Sequence, residues 1–292
     1  VPVDTSAILS SAATLAVTAI GAGILGLPAA LSDAGWLLGS ILLVFFALLS
    51  DASLIFLVRC AEATQRGEFE RIGRAVAGRS GELTVRAALL VLLCGASAVV
   101  LLVAAELARA FLVDILPSRL HASWWMAPKA VLLMCAALVL PLTLARTLKA
   151  LQGVSLAAFG SILAVTVAVV IRFAQAANSE EGLASSAVAV HLSGNTVLAM
   201  PAQSMSFCAQ FNVLPLLSEL PAEAKPSIDR IIHVAILAAA LPLYFLFGLL
   251  PYLQFGEDVA GNVLTEYTGD RLMACAHIAV SIVNLFKFPL VL

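Results

Sequence analysis

The chain has 292 residues, of which 62% are hydrophobic and 12% charged, with a net charge of −2 and a mean hydropathy of +1.04. That balance excludes an ordinary soluble domain and gives no footing for a nucleic-acid partner; it describes a polytopic membrane protein. Five cysteines (Cys60, Cys94, Cys135, Cys208, Cys275) all fall in or beside apolar runs without a CxxC pair. They read as membrane-buried thiols, with no metal site and no cofactor implied.

Eight apolar segments follow one another, each about long enough to cross a bilayer. The first, Ala7–Leu31, contains Gly21-Ala22-Gly23-Ile24-Leu25-Gly26-Leu27-Pro28 near its centre. It is too long, and lacks the basic flank, for a cleaved signal peptide. Three glycines and a proline at mid-depth free backbone groups that cannot face lipid, so this helix is predicted to break against protein or a water-filled cavity. The second segment runs from Gly35 to about Arg59 and carries Asp51 well inside it. An intramembrane carboxylate costs roughly 2.5–3.5 kcal/mol and is read first as functional. For Asp51 the alternatives are a proton carrier and an interhelix contact.

A polar stretch, Ala61–Arg86, comes next. Phe69, Ile72 and Val76 within it sit at helical spacing, which suits a short interfacial helix or a solvated loop. The third segment is Ala87–Val113; its Glu106 is a proton site, an outer gate, or the partner of Arg109 one turn on. The fourth, Trp124–Leu144, opens on two tryptophans that fit an interfacial aromatic belt. The fifth is Leu151–Phe173, followed by a polar loop over Ala174–Asn195.

The sixth segment, Thr196–Leu217, repeats the anomaly of the first. Pro201 and the small polar residues Gln203, Ser204, Ser206 and Gln210 occupy its centre. Pro201 removes a backbone donor, and nearby serines can re-satisfy the carbonyls it frees. A proline-kinked packing helix would account for this segment alone. Two broken helices five segments apart instead match a five-helix inverted repeat with its site between the breaks. The seventh segment is Ile231–Leu253, a polar loop spans Gly256–Asp270, and the eighth segment is Leu272–Leu292. In the eighth, His277 reads as a packed polar residue, and Lys287 as a snorkelling lysine or a fixed charge inside the membrane. The expectation is one transmembrane domain over 1–292, with a first repeat at about 7–173 and the start of a second at about 196–292. The abrupt start at Val1 and the end inside the eighth helix read as a piece of a longer protein.

Basic residues orient the chain. With the N-terminus in the cytoplasm, ten of the sixteen fall on inner ends and loops: Arg59, Arg66, Arg71, Arg74, Arg79, Arg86, Arg146, Lys149, Lys225 and Arg230. Five fall outside: Arg109, Arg119, Lys129, Arg172 and Arg271. The bias predicts a cytoplasmic N-terminus.

Gly21 to Pro28 followed by Ala34-Gly35-Trp36 resembles the first helix of the amino acid/auxin permease family. Phe211-Asn212-Val213-Leu214-Pro215 with Glu219-Leu220 resembles that family's sixth helix, and Glu106-Leu107 matches an acidic position near the outer end of its third. The nearest branches look like the system A/N-type neutral amino acid transporters and the vacuolar amino acid transporters. The resemblance implies an all-α, LeuT-type inverted-repeat bundle of eleven helices, discontinuous in helices one and six and here truncated after the eighth. It implies that a small amino acid binds against unwound backbone at Gly21, Ala22, Gly23 and Ile24 and at Ser204, Met205, Ser206 and Phe207. Sodium-coupled relatives often carry asparagine four residues before the first glycine, where this chain has Val17. Valine offers no side-chain oxygen to sodium, and Lys287 falls near the position at which the eighth helix of those relatives offers a hydroxyl. Gln210 stands where many members have histidine.

The combined expectation is a non-enzymatic secondary transporter of small neutral amino acids in the bilayer. It is a proton symporter or exchanger rather than sodium-coupled, with Asp51, Glu106 and Lys287 as coupling candidates. The plasma membrane and a vacuolar or lysosomal membrane remain alternatives. The rival of the same fold is an amino-acid sensor that binds with little transport. A channel would need a continuous polar stripe, and a membrane metalloenzyme a dense His/Asp/Glu cluster.

Overall fold

In the computed structural model every regular element among the described residues is helical. The structure describes the chain apart from residues 1–4, 21, 122, 144–148, 180–182, 193, 195, 221, 268–269 and 292. For helical residues 5–7, 22, 118, 141–143, 149–157, 271–272, 283 and 285–291 it describes the backbone alone.

The first apolar segment is two helices. The first, α1 (Thr5–Ala19), gives way to a 3-10 turn over Ala22–Gly26, and α2 (Leu27–Ala34) comes after it. The parts Ile8–Ala19 and Gly23–Ala34 meet at 54°. Gly26 caps α2, and Pro28 sits in its first turn, where the missing N–H costs nothing. Gly35, at φ +84°, ends α2 and starts α3 (Trp36–Thr64), which stops at Gln65 in the left-handed region.

The stretch read as a loop or an interfacial helix holds both: a non-helical connection at 65–68, then a short helical run from Phe69 that breaks at Ala77-Gly78 before a second, longer one. The fourth helix, α4 (Phe69–Ile115), starts before the expected third segment and bends at Ala77-Gly78, where Gly78 has φ +65°. Arg74 before the bend and Arg86 beyond it both pair with Glu82, at 3.4 and 3.1 Å. Such exposed pairs contribute little individually, and the fold-back rests on Gly73 lying against Gly81. Phe69 and Ile72 pack on the core, whereas Val76 is exposed.

The remaining helices are α5 (Pro128–Thr143), α6 (Lys149–Ala177), α7 (Thr196–Ser206), α8 (Gln210–Glu219), α9 (Ile228–His233), α10 (Leu241–Phe255) and α11 (Arg271–Val291). A π-helical stretch, Val234–Ala240, joins α9 to α10. Four helices among the described residues are long and apolar enough to cross a membrane: Trp36–Thr64, Phe69–Ile115, Ala158–Ala177 and Lys225–Asp258. The bent pair at the N-terminus makes a fifth; Pro128–Leu140 and Met273–Ile282 are shorter apolar helices.

The core lies where α1, α2, α3, α8 and α10 meet, around the fully buried Leu15, Ile20, Leu25, Leu31, Leu54, Phe207, Tyr244 and Phe247. Large apolar side chains such as Phe45, Phe56, Val91 and Leu133 cover the outside, an arrangement stable only in lipid. Loops sort to two ends. At one end Arg59 pairs with Asp229 and the basic bend of α4 lies nearby in sequence. At the other, the segment after α6 docks on both α3 and α10. There Val188 and Ala189 carbonyls accept the N–H groups of Trp36 and Leu37 at 3.0 and 2.9 Å, and Val188 N–H donates to Tyr252 Oη at 3.1 Å. These bonds satisfy helix-end donors of α3 that no side chain caps.

Gly35 permits that docking. A Cβ there would lie 2.7 Å from Ala189 O and 2.9 Å from Val190 Cα, on a backbone that L-residues rarely adopt. We expect Gly35→Ala to cost roughly 1–3 kcal/mol, read as a lower Tm of the protein in detergent. An unchanged Tm would contradict this docking.

Candidate functional site

Pro201 does not itself end the sixth segment. It stays inside α7, and the chain leaves the helix at Phe207-Cys208-Ala209, six residues on. Ser206 Oγ donates to Ala202 O at 2.9 Å, the i−4 back-bond open to a serine in a helix. Beyond the break α8 opens at Gln210 without a side-chain cap.

The two breaks meet. A Cβ placed on Gly23 would stand 2.8 Å from Ser206 Oγ and 3.2 Å from Ser206 Cα, so the 3-10 turn rests against the end of α7 through the missing side chain. Ile24 and Phe207 are buried beside this contact. Ser206 is buried too, while Ser204 and Met205 are exposed; Met205 lines a cavity to which Ser204 does not contribute. Gly21 lies outside the described residues, and Ala22 is described only as backbone of the turn.

Two carbonyls at the second break, those of Ser206 and Phe207, have donors from other helices. Ser50 of α3 donates to Phe207 O at 2.8 Å. Tyr244 of α10 donates to Ser206 O and lies 2.7 Å from Ala19 O, the last carbonyl of α1. Gln210 Nε2 donates to Ser53 Oγ at 2.9 Å and reaches Ser50 Oγ at 3.4 Å, so the residue at the histidine position braces the donors of the break. Gln203, one turn before Phe207, is wholly buried with neither side-chain atom bonded among the described residues.

A cavity of about 660 Å³ opens beside the breaks. Gly23 and Gly26 line it from the turn, Ala202 and Met205 from α7, Glu106 from α4, and Gly261 and Asn262 from the loop before α11. Its volume suits a small ligand. Glu106 Oε2 accepts from Asn262 Nδ2 at 3.2 Å, which closes α4 against that loop. Glu106 makes no ion pair with Arg109, correcting the i,i+3 alternative. Arg109 Nε donates instead to Met126 O at 3.1 Å, because its helix faces the turn before α5. The same loop is anchored by Tyr267, whose hydroxyl donates to Gln254 Oε1 at 3.0 Å. Burial, and then the neighbouring Glu266 carboxylate, push its phenol well above the usual range and keep it a donor.

Asp51 is buried, and His233 Nδ1 stands 2.9 Å from its Oδ1, tying α3 to α9. Half of the His233 side chain is exposed, so this carboxylate reaches the surface through an imidazole. Val17 is buried against Ala158 and Phe159, which fill the space beside it with carbon. The Lys287 side chain lies outside the described residues. His277 is a packed residue as expected: Nε2 bonds Leu264 O at 2.6 Å, and Nδ1 is 3.5 Å from Asp114 Oδ2.

Sequence reasoning passed over Tyr244, Ser50, His233 and Asn262. A tyrosine, a serine beside an acid, a histidine and an asparagine carry no signal until the partner helix is known.

Residues 4–292 match the family described as transmembrane amino acid transporter protein. The chain is 23% identical over 279 residues to solute carrier family 38 member 10 of Homo sapiens, covering 94% of this chain and 24% of the relative. It is 27% identical over 275 residues to amino acid transporter AVT6A of Arabidopsis thaliana, covering 88% of this chain and 57% of that protein. Against amino acid transporter AVT6E of Arabidopsis thaliana the identity is 24%, with 91% of this chain and 55% of the relative covered. The chain thus spans about a quarter to just over half the length of these curated relatives.

Proposed function

The chain belongs to the transmembrane amino acid transporter family, and from that premise we propose that it serves as a secondary transporter of small neutral amino acids working by alternating access. The meeting of the two broken helices at Gly23 and Ser206, beside a cavity of about 660 Å³, carries this reading. Ends of broken helices hold complementary partial charges. The N–H groups of the Ala22–Gly26 turn and of the start of α8 suit a carboxylate, and the terminal carbonyls of α1 and α7 suit an ammonium. A zwitterion fits both at once. Gly21, Ala22, Gly23 and Ile24, with Ser206 and Phe207, make up the backbone of the site; Met205 lines its mouth, and Ser204 lies at its edge. The framework we propose is the LeuT-type inverted repeat, with the N-terminus and the arginine-rich end in the cytoplasm.

Coupling by protons or by exchange accords better with the residues than coupling by sodium. Valine and its carbon neighbours supply no oxygen at position 17. The buried Asp51 with its half-exposed His233 is our proton-coupling pair, because a carboxylate inside the membrane is expensive unless its charge is used or paired. The Glu106–Asn262 bond is proposed as the outer closure. If so, Asn262→Ala raises leak of preloaded amino acid severalfold with little change in affinity, measured as efflux from proteoliposomes. Unchanged efflux removes the closure from the account.

Uptake of labelled neutral amino acids into proteoliposomes under an inward proton gradient, a sodium gradient or neither tests the coupling. We expect proton-driven accumulation indifferent to sodium. A strict demand for sodium would overturn the reading of Val17.

A further inference from the structure

The geometry points to Tyr244 as a positioning residue whose single hydroxyl ties the two broken helices into one unit; this rests on the breaks being the amino acid site. Tyr244 is completely buried. Its oxygen lies 2.7 Å from the carbonyl that ends α1 and also donates to the carbonyl that ends α7, so one proton is shared between two helix C-termini. Each of those carbonyls has lost its helical partner, and each carries the negative end of a helix dipole. Brought together without a donor they would repel; with the phenol between them they are held at a fixed separation. The ring is clamped as well. Phe207, the first residue of the second break, packs edge-on to it with centroids 4.8 Å apart and planes at 76°.

The aim of this side chain comes from the π-helical stretch before α10. Val234–Ala240 packs on α1, and a π turn holds an extra residue, which rotates the helix beyond it by roughly 100° relative to an unbroken α-helix. Leu241 to Phe255 is thereby rotated so that Tyr244 faces the helix ends. A displacement of either break stretches a bond shared with the other. The two halves of the amino acid site therefore shift together, and the hydroxyl sets the distance between the two breaks that must hold carboxylate and ammonium.

Tyr244→Phe keeps the ring and its packing on Phe207 but leaves two buried carbonyls without a donor. We expect binding of neutral amino acids to weaken about tenfold, by a similar factor for each, with their order unchanged. Hydrogen–deuterium exchange of the ligand-free protein should speed up at both residues 17–24 and residues 204–210 in the variant, and elsewhere little. Exchange at both breaks unchanged from the wild type, or raised at one alone, would overturn the clasp. The ligand arm is read separately: neutral amino acids should slow exchange at both breaks of the wild type. If they slow neither, the site reading fails, while the ligand-free comparison still decides the clasp. Should Tyr244→Phe not fold, the wild type suffices. Equal opening rates at the two breaks support the tie, and unequal rates contradict it.

Discussion

Gly23→Val abolishes amino acid binding, with affinity reduced by about a hundredfold or more. A single added carbon at this position already lies 2.8 Å from Ser206 Oγ and 3.2 Å from Ser206 Cα. The hydroxyl has its own bond to Ala202 O, and the α-carbon belongs to the end of a helix, so neither can simply step aside. Two further methyl groups force the 3-10 turn off α7. Overpacking of a close contact costs about 1–3 kcal/mol, and the strands are then separated just where both ends of a zwitterion must be reached. Equilibrium binding of a labelled neutral amino acid to the purified protein checks this. Gly95→Ala, where nothing lies within 4 Å of the new carbon, should bind like the wild type. Wild-type affinity in Gly23→Val would separate the amino acid site from the contact between the breaks.

Asp51→Asn eliminates accumulation against a gradient while leaving exchange. The substituted amide keeps the size of the carboxylate and can still bond His233, so α3 and α9 stay joined, but it cannot take up a proton. Proteoliposomes with an inward proton gradient should then fill only to the external concentration, whereas wild-type vesicles exceed it severalfold. Retained accumulation would reduce the Asp51–His233 pair to an interhelix contact, the alternative that the sequence left open.

How much was legible in the chain depended on whether the signal was local. Three glycines and a proline inside one apolar run announced the first break, and the structure bends there by 54°. The second was legible as a segment rather than as a point. Pro201 drew attention to the centre of α7, but its ring removes a single backbone donor there, and the helix continues to Ser206. The Ala61–Arg86 stretch was ambiguous because its few apolar residues keep helical spacing only from Phe69 to Val76. Gly73, Gly78 and Gly81 let the chain bend and close on itself, so the stretch becomes a short helix folded back on the start of a longer one. Polar partners across the bundle left no trace. Tyr244 and Ala19 are 225 residues apart, and Asp51 and His233 are 182 apart. A one-dimensional reading can mark Asp51 as costly, but only packing of α9 on α3 supplies its imidazole. Glu106 shows the same limit: the nearest opposite charge in sequence was Arg109, while the bond goes to Asn262.

Counterflow tests the central claim most directly. Proteoliposomes holding the protein and loaded with unlabelled alanine would be diluted into labelled alanine with no ion gradient. Wild-type protein should give a transient internal excess of label over the outside, and Gly23→Val none. Binding of alanine by the wild type with no such overshoot would contradict transport and leave a sensor of the same fold.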